Sequence, residues 1–144
     1  MESADTIKLL KECDAGTKMA VSSIDEILER VCNHDLKKLL QESKKHHEKL
    51  ENEICKLLEQ NRAQEKDPNP MAKGMSWMKT NMKMTMDCSD ATVADLITDG
   101  CNMGIKSLYK YENQYKEADE KAKDICNRLI AIEDQLREEL RRYL

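Results

Sequence analysis

The sequence predicts an all-α protein, a single domain over residues 1–144 built from four long helices and a short fifth one. Of the 144 residues only 3% are aromatic, with no Phe and two Pro. Sandwiches and barrels need aromatic and branched strand residues and frequent turns, so this composition argues against them. Apolar residues instead recur at spacings of three and four, which is the periodicity of helices packed against helices.

The first half of the chain is predicted to form two long helices, over residues 6–31 and 34–62. Each carries a stripe of apolar residues at helical spacing that a few polar residues interrupt. The stripe of the first helix is Ile7, Leu10, Asp14, Thr17, Val21, Ile24, Leu28 and Val31, and that of the second is Leu36, Leu40, Ser43, His47, Leu50, Ile54, Leu57 and Asn61. Asn33, between the two stripes, has a side chain suited to cap the second helix.

A proline-containing break, Asp67-Pro68-Asn69-Pro70, separates the two halves of the chain. Proline disfavours helix at the residue before it, and Asn69 can cap a helix that has Pro70 in its first position, so a short helix is predicted over 71–86. One face of this helix carries a row of methionines, namely Met71, Met75, Met78 and Met82.

The methionine row has two interpretations. Thioether sulfur suits copper(I), which makes the row a candidate soft-metal site. The same spacing is also what a helix packed on a bundle requires, and Met fills irregular contacts well. We therefore interpret the row first as packing, or as a docking surface for another protein or a second copy of the chain, with copper as the alternative.

The second half of the chain is predicted to add two long helices, over residues 90–113 and 119–144, the first of them capped by Ser89. One straight helix over the whole segment would be about 80 Å long, whereas a domain of this size has a radius of gyration of about 15 Å. The chain must therefore turn, and apolar periodicity lapses at 113–119. The stripe of the last helix is Ala122, Ile125, Leu129, Ile132, Leu136, Leu140 and Tyr143.

A weak internal repeat supports this arrangement. Residues 16–24 are similar to residues 100–108, at an offset of 84 positions. The repeat predicts two helical hairpins joined by one long connection, which is the connectivity of bundles with a single crossover. Gly100 and Gly104 weaken a helix interior by about 1 kcal/mol each, so they are expected where another helix approaches closely.

The pair of helical hairpins resembles the ferritin-like superfamily. The segments that carry a closer similarity are Asn69-Pro70-Met71-Ala72-Lys73-Gly74-Met75-Ser76-Trp77-Met78 and Asp95-Leu96-Ile97-Thr98-Asp99-Gly100-Cys101-Asn102-Met103-Gly104. Within it, the chain is similar to uncharacterised bacterial four-helix proteins of clostridial type, a domain of unknown function. The resemblance implies an up-down-down-up bundle whose long crossover contains the short Met-rich helix. It also implies a bacterial, cytoplasmic source, and it implies no reaction.

A di-iron centre in such a bundle requires a Glu from each of two helices and a Glu-x-x-His from each of the other two. The sequence contains no Glu-x-x-His, because Lys44 precedes His47 where Glu would be needed, and the matching register of the last helix gives Ile130 and Glu133. The sequence therefore argues against a complete di-iron site, and a rubrerythrin-like oxidase or peroxidase is the weakest functional alternative.

A smaller metal site is a further alternative. Asp14, His47 and Glu133 are predicted to face one another across three helices, and two carboxylates with one imidazole can hold a single divalent ion. The competing interpretation is that His47 is a packed residue, hydrogen-bonded to a nearby carboxylate or backbone group. The sequence favours the second interpretation.

The six cysteines are Cys13, Cys32, Cys55, Cys88, Cys101 and Cys126. None forms a C-x-x-C pair, so zinc ribbons and dithiol redox motifs are disfavoured. Isolated cysteines at helical positions are expected to be reduced and to fill small apolar spaces.

Composition also limits the partners. The net charge is −4 without a basic patch, so we expect no nucleic acid partner. No apolar run approaches about 18 residues and no secretory signal is evident, so a cytoplasmic protein without membrane insertion is expected. The predicted function is a non-enzymatic one without a cofactor, through a homo-oligomer or another protein partner. The alternative is a divergent metal-binding protein.

Overall fold

The computed structural model describes residues 3–61 and 89–144. These residues form four α-helices, which are α1 (Ala4–Leu28), α2 (His34–Gln60), α3 (Asp90–Gln114) and α4 (Glu120–Leu140), followed by a 3₁₀ turn, Arg141–Tyr143. The described part contains no strand. The all-α prediction of four long helices is confirmed, while the short helix predicted over 71–86 lies outside the described residues.

Each helix begins at a polar cap. The side chain of the capping residue accepts a hydrogen bond from the backbone N–H three residues further on, which satisfies a donor that has no partner within the helix. The caps of α1 to α4 in order are Ser3, Asn33, Ser89 and Asp119. The predictions for Asn33 and Ser89 are confirmed, and the predicted turn at 113–119 corresponds to residues 115–119.

Two sets of hydrogen bonds fix the directions of the helices. At one end of the bundle, the start of α1 contacts the turn between α3 and α4, where Asp5 accepts a hydrogen bond from the N–H of Glu117 at 3.0 Å. At the other end, the start of α3 contacts the turn between α1 and α2, where Asp90 accepts hydrogen bonds from the N–H groups of Cys32 and Asn33 at 2.9 and 3.0 Å. We call these contacts the reciprocal clamps.

The clamps place the starts of α1 and α4 at one end of the bundle and the starts of α2 and α3 at the other. The last residue of α2 and the first residue of α3 consequently lie at opposite ends. α1 packs against all three other helices, and α4 also packs against α2 and α3.

The interior consists of two apolar clusters separated along the bundle axis. The cluster near the α1–α2 turn contains Ile24, Ile27, Val31, Leu36, Leu40, Val93, Ala94, Leu96, Ile97, Cys101, Leu136 and Leu140. The cluster near the α3–α4 turn contains Leu9, Leu10, Cys13, Leu50, Ile54, Leu58, Leu108, Ala118, Ala122, Ile125, Cys126, Leu129 and Ile130. Between them, α1, α2 and α4 each carry buried polar residues.

The two glycines of α3 differ in their surroundings. A Cβ at Gly104 would lie 3.8 Å from the Glu133 carboxylate on α4, so this glycine does face a neighbouring helix. A Cβ at Gly100 would have no atom within 4 Å. The close approach expected at both positions therefore occurs only at Gly104.

Within residues 3–61 and 89–144, no helix is both long enough and apolar enough to cross a membrane.

Candidate functional site

The polar stretch in the middle of the bundle is the strongest candidate site, and we call it the central polar layer. Its buried polar side chains lie on three helices and belong to Asp14, Thr17, Ser43, His47 and Glu133. Each lies where the apolar pattern of its helix passes from one cluster to the other. The layer places a carboxylate on each of two helices, and an imidazole on a third, inside an apolar bundle.

His47 is the centre of this layer and is 0% exposed. Its ring Nδ1 lies 2.8 Å from the backbone oxygen of Ser43, one turn earlier on α2. Because a carbonyl oxygen only accepts hydrogen bonds, Nδ1 carries a proton and donates it to Ser43. The other ring nitrogen, Nε2, lies 3.1 Å from Oε1 of Glu133 on α4.

The contact between His47 and Glu133 holds one shared proton with two formal locations. Either Nε2 is protonated and the pair is imidazolium and carboxylate, or the carboxyl group is protonated and donates to neutral imidazole. Burial on its own lowers the pKa of His47, but the hydrogen bond and charge of Glu133, together with the Ser43 carbonyl, outweigh it and raise the pKa above 6.5. The protonated imidazole is thus favoured more than in water.

Glu133 also contacts α3. The thiol of Cys101 is hydrogen-bonded to its carboxylate, and burial first, then the charge of Glu133 and this hydrogen bond, raise the pKa of Cys101 far above its usual range. The thiol therefore remains protonated and donates to the carboxylate. Gly104 lies beside the same carboxylate and leaves room for it.

Asp14 is buried on α1, and its carboxylate has a different partner. Its Oδ2 lies 2.8 Å from Nζ of Lys18, one turn later on the same helix. The Lys18 side chain is about one quarter exposed, so the ion pair leads from the interior toward the surface. Thr17 donates a hydrogen bond to the backbone oxygen of Asp14 at 2.9 Å.

The three predicted metal ligands are therefore divided between two contacts. His47 and Glu133 are joined across α2 and α4, while Asp14 is joined to Lys18 on α1. In the two described segments, no three His, Cys, Asp or Glu side chains are grouped as they would be around a metal ion. The candidate copper row of Met71, Met75, Met78 and Met82 lies outside the described residues.

Lys44, which stands in the position that a Glu-x-x-His motif would require to be Glu, turns away from the polar layer. Its ammonium group forms an ion pair with Asp25 on α1, and neither side chain is buried. The hydrogen bond to Asp25 raises the pKa of Lys44.

Sequence reasoning placed Asp14, His47 and Glu133 inward, and all three are buried, but it did not identify Cys101 as a partner of Glu133. A signal was present, because the internal repeat aligns Cys101 with Thr17, which belongs to the polar layer. The expectation that cysteines fill apolar spaces agrees with the burial of Cys13 and Cys126 in an apolar cluster, whereas Cys101 contacts the Glu133 carboxylate and Cys32 is exposed.

Comparisons of the chain with protein families, with curated protein sequences and with solved structures find no significant match.

Proposed function

We propose that this protein is a non-enzymatic, ferritin-like helical bundle that acts by associating with itself or with another protein. The central polar layer then has a structural role, because it fixes which helices meet and in which register. Buried polar pairs can have this role, since any shift of one helix would leave a charge or a donor without its partner.

One observation carries this proposal, namely that both ring nitrogens of His47 are already engaged by the protein. Nδ1 donates to Ser43 and Nε2 contacts Glu133. A catalytic base or a metal ligand needs a ring nitrogen that can face a substrate or an ion. An imidazole that is closed off on both sides and 0% exposed has the geometry of a packing element.

The directions of the four helices support the ferritin-like part of the proposal. α2 ends and α3 begins at opposite ends of the bundle, as expected for two helical hairpins joined by a crossover. One long crossover between two helical hairpins is the connectivity of ferritin-like folds.

Exposed apolar side chains support the association part. Met103 and Tyr109 on α3 are 49% and 50% exposed. Methionine adapts its shape to many partners, and tyrosine combines an apolar ring with a polar tip, so both are common in protein interfaces.

Light scattering of the full chain over a range of concentrations tests self-association. We expect a mass above that of the monomer, and a return to the monomer when Met103→Glu replaces an exposed apolar side chain with a charge. Asn113→Glu, an exposed change of equal charge on the same helix, is the matched control and should leave the mass unchanged. Two results together would overturn the proposal. The protein would remain a monomer at every concentration, and pull-downs would yield no complex that Met103→Glu abolishes.

The metal-binding alternative, favoured by the meeting of His47 and Glu133, is tested by metal analysis of protein purified without chelator. A stoichiometric divalent ion that His47→Ala removes would replace our proposal with a single-ion site at Asp14, His47 and Glu133. Copper that persists in His47→Ala and disappears when Met75 and Met78 are replaced by Leu would instead point to the methionine row.

A further inference from the structure

The outward face of α3 carries its charges in two separate groups. Asp95 and Asp99, the acidic pair, lie in the half near the α1–α2 turn, whereas Lys106 and Lys110, the basic pair, lie in the half near the α3–α4 turn. These four are the exposed charged residues of α3, which is described over its full length. They follow one another at spacings of four and seven residues, which places them on one side of the helix. Along α2, by contrast, exposed acidic and basic residues are interspersed.

The stability of α3 does not account for this separation of charge. Each pair consists of like charges four residues apart, an arrangement that destabilises a helix. The helix macrodipole favours acidic residues in the first turn and basic residues in the last, but both pairs lie between those turns. Within residues 3–61 and 89–144, none of the four side chains forms an ion pair. The bundle therefore leaves each group of like charges without an opposite charge.

The acidic and basic pairs are placed symmetrically about the middle of α3, at the peptide bond between Asn102 and Met103. Lys106 lies as far after this bond as Asp99 lies before it, and the outer members of the two pairs are likewise equidistant from it. If a second α3 lies antiparallel on the first, with the two midpoints aligned, each lysine is level with an aspartate of the other copy. Interfaces with two-fold symmetry are self-complementary in this way, because every pairing occurs twice.

Exposed methionines lie at the same midpoint. Met103 is 49% exposed, and Met19 on the neighbouring helix α1 is 37% exposed. Met19 lies as far after Asp5 as Met103 lies before Glu117. Because Asp5 contacts Glu117 and the two helices are antiparallel, the methionines are level with each other along the bundle. The surface thus has an apolar centre with charged residues on either side, as protein interfaces do.

We infer that this surface binds a second copy of the chain, in a two-fold symmetric dimer whose two α3 helices are antiparallel. The inference rests on the self-association proposed above and names the surface that performs it. Met19 and Met103 form the centre of the contact, and the acidic pair of each copy forms ion pairs with the basic pair of the other. Exposed ion pairs add little affinity but determine orientation. The charges therefore select the antiparallel arrangement, since a parallel one would place like charges opposite each other.

Two charge variants of the full chain test the inference. The acidic variant carries Lys106→Asp and Lys110→Asp, and the basic variant carries Asp95→Lys and Asp99→Lys. In either variant alone, a second copy would bring like charges together, so we expect the dissociation constant of the dimer to rise about tenfold or more. An equal mixture of the two variants should recover the association, and native mass spectrometry should show dimers containing one copy of each.

A matched control makes the same change elsewhere. Lys45→Asp together with Lys49→Asp replaces two exposed lysines four residues apart on α2. This control should dimerise as the wild type does, and circular dichroism should show that all the variants remain helical. The dissociation constant of the wild-type dimer should also rise with salt concentration, because salt screens exposed charges.

The possible failures of this inference and of the proposed function differ. If the wild type and both charge variants associate equally well, another surface joins the copies, and only this inference is overturned. If the wild type stays monomeric but forms a complex with another protein that Met103→Glu abolishes, the inference is again wrong and the proposed function remains. A monomer in which a lysine cross-linker joins Lys106 to residues 62–88 of the same copy would show that the chain's own segment covers the surface. A monomer that forms no such complex would overturn both.

Discussion

His47 and Glu133, which are hydrogen-bonded in the centre of the bundle, occupy equivalent positions in the two helical hairpins. They are 86 residues apart. The same separation relates the caps Ser3 and Ser89, and the caps Asn33 and Asp119. Of the buried positions of α2, all but the last have a buried counterpart in α4 at this separation. The pair therefore lies where two similar halves face each other.

The raised pKa of His47 predicts that the free energy of unfolding depends on pH. Folding favours the protonated imidazole, so the stabilisation is fully present below the unfolded-state pKa of about 6.5 and is lost as pH rises through the higher folded-state value. Each unit by which folding raises the pKa of His47 corresponds to about 1.4 kcal/mol of unfolding free energy. Urea titrations from about one pH unit below the unfolded-state pKa to about two units above it should show the free energy of unfolding falling with pH.

Two variants isolate this effect. His47→Gln should flatten the decline in stability, because the titrating group is removed. His46→Gln, at the exposed neighbouring position on α2, should leave the decline in place. An unchanged pH profile in His47→Gln would show that another group causes it.

Replacement of Glu133 should distinguish a lost charge from a lost partner. Glu133→Leu leaves His47 and Cys101 without their acceptor, and breaking a buried pair in this way costs about 3–5 kcal/mol. Glu133→Gln should cost clearly less, because its amide group can donate to neutral His47 and still accept from Cys101. Chemical denaturation at pH 7 measures both, and equal losses would argue against the hydrogen-bonded network.

Cavity-forming replacements test the apolar clusters. Leu50 and Leu129 are both buried in the cluster near the α3–α4 turn, as their stripes predicted. Leu50→Ala and Leu129→Ala should each lower the free energy of unfolding by about 2–5 kcal/mol. Leu144→Ala, at an exposed terminal position, should change it by less than about 0.5 kcal/mol. Near-neutral effects at the two buried positions would contradict the packing described above.

The two glycines of α3 should respond differently to alanine. Gly100→Ala should raise stability by about 0.5–1 kcal/mol, because alanine favours helix and nothing lies within 4 Å of the added methyl group. Gly104→Ala should raise stability less, because the added methyl group would contact the Glu133 carboxylate and place an apolar group beside a charge. Thermal unfolding of the two variants checks the difference, and a larger gain at Gly104 would be inconsistent with it.

The sequence predicted the buried face of α2 well because charged and polar residues occupy most positions of that helix outside the apolar stripe. Only one face was left for Leu36, Leu40, His47 and Leu50, and all four are buried. The buried face of α1 was predicted less well, because small and apolar residues occur on several faces of this helix and it packs against three other helices. Its true interior includes Leu9, Cys13 and Ile27, while Ile7, Val21 and Leu28 are only half-buried.

The site was harder to predict than the fold. On α4 the predicted stripe contained Ile132, yet the neighbouring Glu133 is buried and Ile132 is only partly so. Glu133 was predicted to face Asp14 and His47, but the pairing of Asp14 with Lys18 and the contact of Glu133 with Cys101 were not predicted. Such pairings depend on tertiary geometry, which a single sequence does not contain.

The reciprocal clamps have a consequence for how the protein comes apart. Asp5 of the first hairpin closes the turn of the second, and Asp90 of the second closes the turn of the first. Neither hairpin can therefore detach without opening both turns and exposing both clusters. Cooperativity should extend over the whole bundle, so a denaturant titration should show one transition, with Asp90→Ala shifting its midpoint without splitting it.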